Sequence, residues 1–124
     1  MNKKILLIYT GGTIGMVKDK KKNTLVPFNF DELLKAIPEL KSDELDLDNI
    51  STKNPIDSSN MNPDNWIEIA NMIEDKYSFY DGIVVLHGTD TMAYTASALS
   101  FMLENLNKAI ILTGSQIPIG ARRT

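Results

Sequence analysis

The sequence predicts an α/β fold built on an open, mostly parallel sheet flanked by helices, and three observations carry that expectation. Short apolar runs at Lys4 to Tyr9, Ile83 to Leu86 and Ala109 to Leu112 read as buried strands. Each is followed by glycine beside a hydroxyl residue, in Thr10-Gly11-Gly12-Thr13, His87-Gly88-Thr89-Asp90 and Thr113-Gly114-Ser115-Gln116. Helical patterns separate the strands, and alternation of strand and helix argues for parallel pairing through right-handed crossovers.

The first run, 4 to 9, is apolar on both faces and is therefore expected in the middle of the sheet. Its two glycines let the backbone turn sharply and approach a ligand. Met16 to Pro27, polar at its centre, suits a hairpin or flap. Asn29 is placed to cap a short helix from Asp31 to Ile37, which Pro38 ends. Residues 44 to 53 allow a second strand of weak alternation, and Asn54 to Asn60 is a loop of small polar side chains.

The clearest helix comes next. Asn62 caps it, Pro63 takes the first position, and Trp66, Ile69, Ala70, Ile73 and Tyr77 step along one face. That stripe reads as core packing rather than a cofactor site for Trp66. Asp81-Gly82 breaks the chain before the next strand. Met92 to Leu106 is helical by composition, and Asn107-Lys108 turns into the last strand.

At 124 residues the chain is one domain or part of one, with 43% hydrophobic and 23% charged residues, an ordinary globular composition. A net charge of −3 offers no electrostatic footprint for nucleic acid. Lys18, Lys20, Lys21 and Lys22 form a basic run, but no aromatic residues interleave with it for base stacking, so it reads as a solvated turn. The absence of cysteine excludes disulfides and thiolate metal sites, and no His and carboxylate cluster at ligand spacing points to another metal. The apolar run after Met1-Asn2-Lys3-Lys4 is shorter than the roughly seven residues a secretory signal needs, and no segment is long enough to span a bilayer. A soluble cytoplasmic protein is expected.

If the three strands are parallel, their glycine-and-hydroxyl ends converge on one edge and offer hydroxyls, backbone N–H groups and the Asp90 carboxylate to a small polar molecule. Nucleotide motifs fail. Gly15-Met16-Val17 lacks the lysine and hydroxyl residue of a phosphate loop, and Thr10 stands where a dinucleotide fingerprint needs its first glycine. His87, at the end of an apolar strand, reads as a hydrogen-bonded structural histidine rather than a general base. A threonine nucleophile is what the residues permit best: a neighbouring base would take its proton, and backbone N–H groups would hold the oxyanion.

At these loops the sequence resembles the bacterial L-asparaginases, and the cytoplasmic type I enzymes more than the periplasmic type II ones. The stretches that carry the resemblance are Tyr9 to Met16, Asp57-Ser58-Ser59-Asn60-Met61, His87 to Leu106 and Thr113 to Pro118. It implies a flavodoxin-like, doubly wound sheet. It also implies hydrolysis of the L-asparagine side-chain amide to aspartate and ammonia through an acyl-threonine intermediate, without a cofactor. By motif, Thr13 matches the nucleophile, and Thr89 and Asp90 match the second threonine and its aspartate, which work with a lysine. Ser58 and Ser59 match positions that hold the substrate's α-carboxylate and α-amino groups, with Asp90 contributing to the latter. Ser115 matches a position whose backbone N–H helps form the oxyanion hole.

Two departures accompany the resemblance. Family enzymes place a tyrosine two residues before a proline in the flexible loop, where this sequence has Leu25 before Val26-Pro27; either another hydroxyl, Tyr9 or Tyr94, does its work, or the alignment of this loop is shifted. Family enzymes are also several hundred residues long, with two domains, and assemble as homodimers or homotetramers. Residues 1–124 are thus expected to be an incomplete N-terminal catalytic domain, with the triad lysine and the C-terminal domain absent and little activity alone. Two alternatives stand beside this: the asparaginase-like subunit of a glutamyl-tRNA amidotransferase, and a non-catalytic amino-acid-binding module.

Overall fold

The computed structural model describes residues 2–19, 21, 24–27, 38–41 and 43–119. Four strands, β1 (Lys3–Tyr9), β4 (Leu45–Ser51), β5 (Gly82–Leu86) and β6 (Ala109–Thr113), form one sheet in the order β4-β1-β5-β6. All three pairings are parallel. Between β1 and β4 the chain forms a separate antiparallel hairpin, β2 (Met16–Asp19) and β3 (Thr24–Pro27), with Met16 opposite Pro27. The helix expected at Asp31 to Ile37 lies outside the described residues.

β1 is internal because both of its faces bury apolar atoms. Leu6 and Ile8 are fully buried on one side, and Ile5, Leu7 and Tyr9 are half-buried on the other. Against Leu6, Ile8, Ile83 and Val85 pack α1 (Pro63–Lys76) through Ile69, Ala70 and Ile73, and α2 (Met92–Met102) through Leu99, with Leu103 just beyond it. Each of these leucine, isoleucine and valine side chains contributes about 1.5–3 kcal/mol of apolar burial. The two helices share a face for a topological reason: β4 to β5 and β5 to β6 run the same way across the sheet, so crossovers of one hand must lie on one side.

The first turn of α1 is built as its sequence implies. Asn62 Oδ1 accepts from the N–H groups of Asp64 (2.9 Å) and Asn65 (3.4 Å), and Asn65 Oδ1 accepts in return from the Asn62 N–H at 2.9 Å. These bonds satisfy donors that a helix start leaves open. α2 is shorter than its composition predicts, ending at Met102 instead of Leu106. Leu103 turns into the core, 7% exposed, and Asn105 takes a left-handed φ of 56°, which asparagine tolerates better than most residues. Burial of one leucine therefore overrides helix propensity in the last turn. Among the described residues no helix is long and apolar enough to cross a membrane.

The strand register aligns the chain ends that carry polar residues. Tyr9 pairs with both Ser51 and Leu86, and Leu86 with Thr113, so all four strands stop along one line. The order of the sheet strands reverses between β1 and β5, the position where open parallel sheets open a crevice for ligands.

Candidate active site

Beyond that line the loops are drawn together by glycines. Gly11 and Gly12 hold φ values of 129° and 88°, conformations that side-chain-bearing residues rarely adopt. The space beside them is also closed: a Cβ on Gly11 would strike the Ile56 carbonyl, and one on Gly12 would stand 2.7 Å from the Gly88 Cα. Gly88 in turn leaves room for Ser58, whose Oγ would lie 2.6 Å from a Cβ there. Hydrogen bonds fix the same contacts. Thr10 donates to the Leu86 carbonyl through both N–H (3.0 Å) and Oγ1 (2.9 Å), Ile56 N–H donates to the Thr10 carbonyl (3.1 Å), and Thr91 Oγ1 donates to the Ser58 carbonyl (2.7 Å).

These contacts leave a cleft of about 140 Å3 lined by Gly12, Thr13, Met16, Asp57, Ser58, Gly88, Thr89, Asp90, Ser115 and Gln116. Thr13, at the start of a 3-10 turn after β1, therefore shares one opening with Thr89 and Asp90 after β5 and with Ser115 after β6. Ser58 lines it from the loop after β4, almost fully buried. Ser59 does not: it is exposed, and its N–H and Oγ both donate to Asp57 Oδ1 at 3.0 Å. Those two bonds, the backbone one first, hold the Asp57 carboxyl below the usual carboxylate range.

The lining thus carries two carboxylates, four hydroxyls and one carboxamide, with no basic side chain among the described residues. Such a surface suits a small ligand with an ammonium group and further polar atoms to be read by hydroxyls. Sequence reasoning missed Asp57, Met16 and Gln116. Asp57 had a local signal, since Asp two residues before Ser59 at a helical start is an N-cap pattern. Gln116 lay in a loop expected at that edge but was given no role; its Nε2 donates to Thr89 Oγ1 at 2.6 Å across a long-range contact.

His87 is fully buried and bonded at both ring nitrogens. Nδ1 lies 2.7 Å from the Gly88 carbonyl, which only accepts, so Nδ1 carries the proton, and Nε2 receives the Thr95 hydroxyl at 2.8 Å. Thr95 Oγ1 accepts in turn from Trp66 Nε1 at 3.0 Å. This chain of bonds ties β5 to both helices, and His87 is absent from the cleft lining, as is Trp66. Neither tyrosine that could replace the flap tyrosine lines the cleft. Tyr9 OH donates to the Gly12 carbonyl at 3.0 Å, with burial pushing its phenol upward, and Tyr94 is 69% exposed on α2. Leu25 sits in β3 opposite Lys18.

Comparison with known proteins decides the family. The profile described as "Asparaginase, N-terminal" matches residues 4–124. The chain belongs to the asparaginase family. It is 50% identical over 123 residues to L-asparaginase 1 of Escherichia coli, covering 98% of this chain and 36% of that protein. It is 44% identical over 116 residues to a glutamyl-tRNA(Gln) amidotransferase subunit of Pyrococcus horikoshii, covering 90% of this chain and 26% of that one. The crystal structure of L-asparaginase I from Vibrio cholerae superposes with a TM-score of 0.87 at 47% identity, covering 99% of this chain and 37% of that chain. The chain therefore spans about a third of the length of these asparaginase relatives.

Proposed function

We propose that this chain is the amino-terminal part of an L-asparaginase of the cytoplasmic type I group, an amidohydrolase that converts L-asparagine to L-aspartate and ammonia. The observation that carries the proposal is the single cleft that Thr13 shares with Thr89 and Asp90, all within the residues that the family profile matches.

In this reading the Thr13 oxygen attacks the side-chain amide carbon while its proton passes to a base. The oxyanion is held by backbone N–H groups of the glycine-rich strand ends, including that of Ser115. The tetrahedral intermediate expels ammonia, its nitrogen taking up a proton, and leaves an ester on Thr13. A water molecule activated near Thr89 then cleaves the ester to aspartate and restores the hydroxyl. Asp90 and Asp57 face the α-amino group, Ser58 the α-carboxylate, and Ser59 acts through the carboxylate it holds. Thr89 and Asp90 work with a lysine supplied from outside residues 1–124, and the assembled enzyme is a homodimer or homotetramer.

The test is ammonia release from asparagine and from glutamine. It compares the 124-residue chain with a hybrid that joins it to the carboxyl-terminal remainder of the Escherichia coli relative. We expect turnover of asparagine by the hybrid and almost none by the chain alone. A hybrid that prefers glutamine strongly would favour the amidotransferase-subunit reading, which the match to the Pyrococcus subunit keeps in view. Tight, specific binding of asparagine by the chain, without turnover in the hybrid, would favour an amino-acid-binding module.

A further inference from the structure

Gln116 is exposed on the turn after β6, yet its carboxamide makes one of the shortest side-chain hydrogen bonds among the described residues, 2.6 Å from Nε2 to Thr89 Oγ1. Close backbone packing brings these two residues together. Gly114 lies so near the His87 carbonyl that no Cβ fits, and a Cβ there would stand 3.2 Å from Thr89 Cγ2. Ser115 Oγ accepts from the Ile117 N–H at 3.1 Å, which fixes the turn that presents Gln116. Both Gln116 and Thr89 line the cleft.

We infer that Gln116 is a positioning residue that sets the polarity of the Thr89 hydroxyl for the reaction proposed above, on which this inference rests. A threonine oxygen has one proton and two lone pairs, whereas an amide N–H only donates. With Gln116 occupying one lone pair and the Thr89 methyl group beside Gly114, the Thr89 proton points away from Gln116, which leaves it and the second lone pair free to serve the cleft that Thr89 lines. When Thr89 gives up that proton, the same N–H faces a charged oxygen and the bond strengthens. Gln116 thus favours Thr89 as a donor to the cleft and stabilises it after proton transfer.

Gln116→Glu separates this role from simple packing. Glutamate has nearly the shape of glutamine, but as a carboxylate it accepts, and so draws the Thr89 proton out of the cleft. In the hybrid we expect Q116A to lower kcat about tenfold and Q116E about a hundredfold, with KM within about twofold, the scale of one misdirected proton-transfer group. The Q116E deficit should narrow as pH falls toward the ordinary glutamate value of about 4.3, where the protonated acid donates again. If Q116E is as active as wild type, or more active than Q116A, the inference is overturned.

A second readout needs no turnover. In the 124-residue chain, the Gln116 side-chain amide proton should resonate downfield and exchange slowly. Thr89→Val should abolish both effects and Thr89→Ser should keep them; a signal indifferent to T89V would remove the bond itself. An inactive unsubstituted hybrid would count against the asparaginase reading, and the amide signal would still decide the contact.

Discussion

Gly12 and Gly88 meet backbone to backbone, so closely that a Cβ on Gly12 would stand 2.7 Å from both the N and the Cα of Gly88. This contact joins the turn that carries Thr13 to the turn that carries Thr89 and Asp90. The separation of Thr13 from Thr89 and Asp90 is therefore set by main-chain packing rather than by flexible side chains.

Alanine at Gly12 should force the two turns apart, and alanine at Gly88 should strike the Ser58 side chain. We expect G12A and G88A each to lower stability by about 1–3 kcal/mol, the usual cost of overpacking, with added strain at Gly12 from its φ of 88°. Gly82 is the control: a Cβ there would make ordinary contact, 3.4 Å from Ile5 Cδ1, so G82A should stay within about 1 kcal/mol of wild type. Urea midpoints of the three variants test the contrast, and equal losses at all three positions would refute it.

The Asp57 carboxyl sets a pH dependence. Its folded value is lowered by the Ser59 N–H and Oγ–H bonds. A depressed carboxylate stabilises the fold fully above its unfolded value, about 3.9, and that contribution disappears as pH falls through the folded value. A stability gap between wild type and D57N should thus be present near neutrality and close on acidification below the ordinary aspartate range. By carbon-detected NMR, S59A should raise the Asp57 titration only part of the way back, because the backbone N–H bond remains. A full return would mean that the hydroxyl alone sustains the shift.

Thr95 should matter more to stability than its size implies. Thr95→Val keeps the shape but leaves the buried His87 Nε2, at about 1–3 kcal/mol, and Nε1 of the half-buried Trp66, at less, without their shared partner. Trp66→Phe, which removes a donor together with part of the ring, leaves the Thr95-His87 bond in place. Chemical denaturation of T95V should therefore show a loss of at least about 1 kcal/mol, and a change below about 0.5 kcal/mol would contradict the hydrogen-bond chain.

The parallel sheet was legible because its signals are local: apolar runs ended by glycine at 11, 88 and 114, with helices between them. Of the residues that the resemblance singled out, Thr13, Ser58, Thr89, Asp90 and Ser115 line one cleft and Ser59 does not. What escaped depends on contacts between distant segments. The end of α2 is decided by Leu103 entering the core, which no helix propensity encodes. Ser59 turns to Asp57 instead of the cleft because a capping bond is available two residues away. Gln116 reaches Thr89 only because Gly114 lets β6 press against His87, a relationship that spans 27 residues of sequence.

The most direct measurement is where the acyl group resides during turnover. In acid-quenched reactions of the hybrid with asparagine, peptide mass mapping should find the aspartyl ester on the peptide containing Thr13. Thr13→Ala should abolish it and lower turnover by roughly 10^4-fold or more, as removal of a nucleophile does in other hydrolases. An ester on Thr89, or a T13A variant within tenfold of wild type, would contradict the assignment of Thr13 as nucleophile.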